Sequence, residues 1–257
     1  MRSILSKLGS SRRPAPHRFV ILGLPRSGTT YLMTLLNAHP QIFCTGEQFN
    51  PKAVVGLSGD RDESFERVVA DRDANPVTFL EEIFQRPQPA RVDWTGFKFM
   101  LGHNIAAFRA LEADPDITLI HVWRENRLAQ VTSLIKAVQS QKWVQSKEDH
   151  EHVARKIDAT PRQISQRWHE NAMTDYLFTS WLAHQPHRHI SLEYRELFAP
   201  EFNDRICDFL GVESDPAMQS PLVKQGINTI LDRFEEPRAI KHYFTTIGHE
   251  RWLEDEL

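Results

Sequence analysis

Cysteine is scarce in this chain: Cys44 and Cys207 are the only two among 257 residues. They lie far apart and share no metal-ligand spacing. That excludes a disulfide framework and a cysteine-based zinc site, and leaves two free thiols in a reducing compartment. A long hydrophobic run is also missing, since no stretch approaches the ~20 apolar residues that cross a bilayer. Met1–Arg18 is basic and poor in acids but has no apolar segment of the kind a secretory signal requires. It reads as a frayed terminus whose first residues, Met1–Leu8, make at most peripheral membrane contact. With no export signal, the expected location is the cytoplasm.

Charge of one sign is lacking as well. Thirty-one Lys and Arg face 34 Asp and Glu, a net charge of −3, which gives no global attraction to nucleic acid or to an anionic membrane. Any anion site must therefore be local. Internal repeats, low-complexity tracts and a linker are absent. The expected organisation is a flexible basic segment over residues 1–17 and a single α/β domain over 18–257. Twelve histidines invite a metal reading. However, His184, His187 and His189 crowd one turn, and His150 and His152 flank Glu151, without zinc-site spacing. They read as solvated loop residues, and no metal is expected.

What is present is an alternation of short apolar runs and helical patterns. Arg18–Gly23 is a continuous apolar run of the kind found in buried parallel strands. A helical pattern starts at Thr29, carries Leu32, Met33, Leu35 and Leu36, and stops near Asn37–His39 ahead of Pro40. Further strands are expected at Thr95–Phe99, Ile117–Trp123 and His189–Tyr194. Helices are expected at Pro76–Phe84, Asn126–Val138, Pro161–Ala183 and Arg195–Leu210. This order predicts an α/β, three-layer, P-loop-like fold with a central, mainly parallel sheet flanked by helices. The polar stretch Val54–Asn75 reads as a lid or a surface excursion, and Glu250–Leu257 as a charged helix end without function.

The segment Gly23-Leu-Pro-Arg-Ser-Gly-Thr-Thr30 sits between a strand and a helix and fits the phosphate-loop spacing, with Thr29 at the lysine position. Glycines let successive N–H groups turn inward, and the helix adds its positive end. After the strand Ile117–Trp123 comes Arg124, a cation where a magnesium-supporting carboxylate would be expected in a nucleotide triphosphatase. Both departures point to a second anionic group bound directly by arginine. A divergent kinase or ATPase is the alternative, and a non-catalytic nucleotide-binding module is a third.

Pro25-Arg-Ser-Gly-Thr-Thr-Tyr-Leu32 resembles the 5′-phosphosulfate loop of sulfotransferases that use 3′-phosphoadenosine 5′-phosphosulfate (PAPS), most of all the carbohydrate branch. The resemblance extends through Ala38–Ile42, Gly46-Glu47, Gly96–Met100, Arg124–Ser133, Tyr194–Leu197 and Asp208–Gly211. Among bacterial members it is similar to lipopolysaccharide, nodulation-factor and trehalose sulfotransferases. The resemblance implies PAPS as co-substrate and a glycan or glycolipid hydroxyl as acceptor. Sulfuryl transfer resembles phosphoryl transfer in its loose transition state and reliance on positioning, and it demands no metal. If the chain self-associates, a homodimer is the expected form.

By the same resemblance, Arg26 meets charge on the bridging and equatorial oxygens. Ser27, Thr29 and Thr30 hold the 5′-phosphate and sulfuryl oxygens, with Pro25, Gly28 and Tyr31 completing the loop. Arg124 and Ser133 take the 3′-phosphate. The serine lies nine residues on rather than the more familiar eight, which is where Thr132 stands, and Arg127 could turn to the same anion. Glu47 is the candidate base and His103 the competing one, with Lys98 fixing the site. Tyr194 is an adenine contact or a core tyrosine, and Lys224-Gln225-Gly226 a further 3′-phosphate contact. Trp143, Trp168 and Trp181 read as core or acceptor-pocket residues.

Overall fold

The computed structural model describes residues 14–55, 65–89, 91–144, 156–222 and 228–257, without the side chains of Phe65 and Glu66. The basic terminus, most of the 1–17 segment, His150, His152 and Lys224–Gly226 lie outside these residues. Five strands form one sheet: β1 (His17–Gly23), β2 (Ile42–Glu47), β3 (Trp94–Met100), β4 (Ile117–Trp123) and β5 (His189–Glu193). Their order is β2-β3-β1-β4-β5 and every pairing is parallel. This is the three-layer α/β fold read from the sequence. The helices are α1 (Thr29–Asn37), α2 (Ala70–Ala74), α3 (Pro76–Gln85), α4 (Ile105–Glu112), α5 (Arg127–Ser140), α6 (Pro161–Leu182), α7 (Phe202–Leu210) and α8 (Pro237–Thr246).

The central strand shows why the run is unbroken. Phe19 and Ile21 pack with α1 and α7, whereas Val20 and Leu22 pack with α3, α4 and α6. With side chains alternating between faces, burial of both faces requires apolar residues at every position. On β4, His121 falls on the second face, fully buried, with Nδ1 2.7 Å from Ser191 Oγ and its ring 4.9 Å from that of Phe178. A third cluster joins α5, α6 and α8 through Leu128, Val131, Ile164, Phe244 and Trp252.

Several elements differ from expectation, and the helices α4 and α8 were not among those expected. β2 is an edge strand that the sequence reading left unassigned; it alternates buried and half-buried residues and its register shifts between Thr45 and Glu47. The helix expected over Arg195–Leu210 splits into a 3₁₀ turn, Tyr194–Phe198, and α7. Pro200 disfavours helix at Ala199, whose φ/ψ of −69°/142° is extended. Within Val54–Asn75, Phe65–Val69 is a π-helical turn that leads into α2, rather than an irregular excursion. Arg72, buried within it, donates to the carbonyls of Gln48, Asn50 and Ala53 at 3.1, 2.8 and 3.2 Å. The tail is a 3₁₀ turn, Glu250–Leu253, followed by extended chain rather than a helix end, and Glu256 is buried.

Candidate active site

β1 ends at Gly23, and the chain reverses through Leu24–Ser27 before α1 begins. Arg26 takes a left-handed φ of 66°, and Gly28, the N-cap of α1, one of 103°. A Cβ on Gly28 would lie 2.8 Å from Leu197 Cδ1 and 2.9 Å from Tyr194 Cδ2, so glycine is required for both conformation and space. No side chain caps α1 and no acid stands in its first turn. Its N-terminal amides and positive dipole end are thus available to an anion. The Ser27 hydroxyl, expected on the ligand, is instead buried beneath the loop and donates to Leu24 O at 2.8 Å, closing the turn.

A cleft of about 100 Å³ opens beside this turn, lined by Arg26, Gly28, Thr29, Thr30, Tyr31, Arg124, Ser133, Trp143, Tyr194 and Arg233 among others. Most of the residues picked from the sequence therefore meet in one place. Arg26 Nε donates to Ser133 Oγ at 3.0 Å and Nη1 to the Trp143 carbonyl at 2.6 Å. Burial, then the neighbouring Arg124 charge, lowers the Arg26 pKa to about 10. Arg124 is 4% exposed; Nη1 donates to Arg26 O at 2.9 Å while Nε and Nη2 hold Glu256. Its guanidinium carbon lies 4.1 Å from the centre of the Tyr194 ring, so one face of that ring is covered. Thr132 does not face the cleft: its hydroxyl donates to Ala129 O at 3.1 Å and accepts from Arg233 Nη1 at 3.1 Å. Arg127 points away as well, into a buried pairing with Asp175. Arg233, which the sequence reading did not single out, lines the cleft and places Nη2 3.8 Å from Glu256 Oε2. It lies in a polar stretch far along the chain with no motif around it.

Glu47, Lys98 and His103 form a second group, separate from the cleft lining. Strand register sets Glu47 opposite Lys98 at the carboxyl ends of β2 and β3, where ligands of open parallel sheets bind. Lys98 Nζ lies 2.8 Å from Glu47 Oε1 and donates to Thr30 Oγ1 at 2.6 Å, so one ammonium joins the carboxylate to the phosphate loop. Asn50 Nδ2 donates to Glu47 Oε2 at 2.7 Å. Burial alone would push the Glu47 carboxyl up, but Lys98, Asn50 and His103 outweigh it and hold it below the usual carboxylate value. Glu47 is therefore ionised at neutral pH. His103 Nδ1 accepts from the Met100 N–H at 3.3 Å, leaving its proton on Nε2, 3.9 Å from Glu47 Oε2. Burial, with Lys98 and Arg72 nearby, lowers its pKa to about 4 against the pull of Glu47, so the ring is neutral.

Residues 17–216 match the model described as "Sulfotransferase family". Nodulation protein H of Rhizobium meliloti (strain 1021) is 31% identical over 140 residues, 52% of this chain and 53% of that protein. Nodulation protein H of Rhizobium tropici is 31% identical over 144 residues, covering 53% and 52%. The chain thus spans about half the length of the curated relatives it matches. Two solved structures are similar to the chain at low identity. The sulfotransferase domain from the curacin biosynthetic pathway has a TM-score of 0.49 and 20% identity over 84% of this chain and 80% of that one. A sulfotransferase from Alicyclobacillus acidocaldarius has a TM-score of 0.47 and 16% identity over 95% and 98%.

Proposed function

The chain belongs to the sulfotransferase family, and from that premise we propose that it transfers a sulfuryl group from PAPS to a hydroxyl of a carbohydrate or glycolipid. The observation that carries this reading is the convergence of Arg26, Arg124 and Arg233 on one cleft at the first turn of α1. Guanidinium groups bind phosphate and sulfate directly and in fixed orientation. One cationic station at the loop and another at Arg124 and Arg233 suit a ligand with anionic groups at both ends of a ribose. A linear triphosphate has no second end to offer. The acceptor class follows from likeness to the carbohydrate branch, nodulation proteins included.

The donor, when bound, supplies the sulfuryl group and leaves as 3′-phosphoadenosine 5′-phosphate. The amides of Gly28–Tyr31 and the hydroxyls of Thr29 and Thr30 hold its 5′ end. Arg26 meets the charge that grows on the bridging oxygen, where a preorganised cation is worth most. Arg124, Ser133 and Arg233 take the 3′-phosphate. Tyr194, covered on one face by Arg124, offers adenine its edge. Glu47 receives the proton that the acceptor hydroxyl loses as its oxygen bonds to sulfur. Lys98 keeps Glu47 ionised and ties it to Thr30. The test is transfer of radiolabelled sulfate from PAPS to glycan and glycolipid pools, run beside labelled Mg·ATP. Label entering a lipid or glycan fraction from PAPS alone supports the reading, whereas phosphate transfer or ATP hydrolysis alone refutes it.

A further inference from the structure

Arg26 sits in a left-handed conformation that is unfavourable for a non-glycine residue, so the surrounding chain must hold it there. The two carbonyls that bracket it are both held by side chains from the start of α5 and the residues just before it. Arg124 Nη1 donates to Arg26 O at 2.9 Å, and Gln130 Nε2 donates to Pro25 O at 3.0 Å. Gln130 is fully buried, so its amide has no water to fall back on. Its Oε1 accepts from Arg127 Nη1 at 3.1 Å, and Arg127 is in turn paired with Asp175 of α6, which is 4% exposed.

The direction of this chain is fixed by chemistry. Arg127 can only donate and the Pro25 carbonyl can only accept. A Gln130 amide turned by half a rotation would set donor against donor and acceptor against acceptor. Arg127 therefore selects the one orientation that reaches the loop, and Asp175 holds Arg127 in place to do so. The geometry points to Gln130, oriented by the Arg127–Asp175 pair, as the residue that positions the phosphate loop. It fixes the Pro25–Arg26 peptide and, through it, the approach of Arg26 to the cleft. None of the three side chains touches a reacting atom in this account; they act through the loop.

Hydrogen exchange on the ligand-free protein tests this without reference to any ligand. In Gln130→Met, which keeps the length but not the hydrogen bonds, amides of residues 24–31 should exchange roughly five- to tenfold faster, with α8 unchanged. Asp175→Leu should reproduce part of that gain, and adding it to Gln130→Met should give little more, because it acts through Gln130. Gln130→Glu serves if the methionine variant does not fold, since it keeps Arg127 but turns an acceptor toward Pro25 O. Wild-type exchange at the loop in a folded Gln130 variant would overturn the inference, and so would additive effects of the two substitutions. A ligand arm rests on the donor reading above: affinity for 3′-phosphoadenosine 5′-phosphate should fall roughly five- to tenfold in Gln130→Met. Failure of the wild type to bind that bisphosphate would sink the donor reading and leave the exchange comparison to decide the role of Gln130.

Discussion

Replacing Glu47 by Gln separates the two candidate bases. Glutamine keeps the size and the neighbours of Glu47 but cannot take a proton. The carboxylate is held ionised mainly by Lys98 at 2.8 Å, against the cost of burial. Removing a general base typically costs 10²–10⁴ in rate, about 2.7–5.4 kcal/mol of transition-state stabilisation. The cleft beside α1 should be little affected, because Lys98 retains its 2.6 Å bond to Thr30 Oγ1. Loss of the carboxylate partner leaves a Lys98 side chain 7% exposed and should lower Tm by roughly 3–10 °C. The assay is initial-rate sulfate transfer to the best acceptor, with bisphosphate affinity measured in parallel and His103→Gln alongside. The unprotonated nitrogen of His103, Nδ1, already accepts from the Met100 N–H, so His103→Gln should cost less than about tenfold. A Glu47→Gln enzyme within tenfold of wild type, or a His103→Gln enzyme more impaired than it, would refute the assignment.

Gly28→Ala forces a left-handed alanine whose Cβ meets Tyr194 and Leu197 at 2.9 and 2.8 Å. Strain and overpacking together predict a loss of about 2–5 kcal/mol, read as a lower denaturation midpoint, and an unchanged midpoint would contradict the loop geometry. His103 and His121 are both held neutral by burial, with pKa values lowered to about 4 from 6.5. The unfolded chain binds their protons first, so stability should fall as pH drops from about 6.5 toward 4. Glu47 works in the same direction: its folded value lies below the ordinary 4.5, so its contribution is lost as pH falls through that lower value. A Tm that is flat between pH 7 and 4 would contradict the contribution of the two histidines. Arg124→Ala takes the nearer guanidinium away from the buried Glu256 and leaves Arg233 at 3.8 Å, at a cost of up to about 3–5 kcal/mol. Adding Glu256→Gln should recover part of that loss in a chemical denaturation series; strict additivity would argue against the pairing.

Most of the fold was legible because burial of both sheet faces leaves an unmistakable apolar run. β1, β3 and β4 are such runs, and the loop at Pro25–Thr30 lies where a strand gives way to a helix. The edge strand β2 was missed because half of its residues face outward and Gly46 interrupts the pattern. Pro200 was present to read, and it splits the element expected over Arg195–Leu210. The cleft was legible as far as motifs reached: Arg26, the Thr29–Tyr31 turn, Arg124, Ser133 and Tyr194 all line it. Arg233 and Glu256 were not, because they come to Arg124 from more than a hundred residues away through the third core cluster. Thr132 and Ser133 are adjacent, and only helix phase decides which faces the cleft. Their hydrogen bonds turn Thr132 inward and leave Ser133 on the cleft.

The central claim is that the cleft binds a ribose bisphosphate rather than a magnesium triphosphate. Calorimetric titration of the wild-type protein with 3′-phosphoadenosine 5′-phosphate in the absence of divalent cations tests it most directly, with Mg·ATP and Mg·ADP as comparisons. The account predicts saturable binding of the bisphosphate at least about tenfold tighter than either magnesium nucleotide, a difference of about 1.4 kcal/mol. Tighter binding of Mg·ATP, with no heat from the bisphosphate, would contradict it.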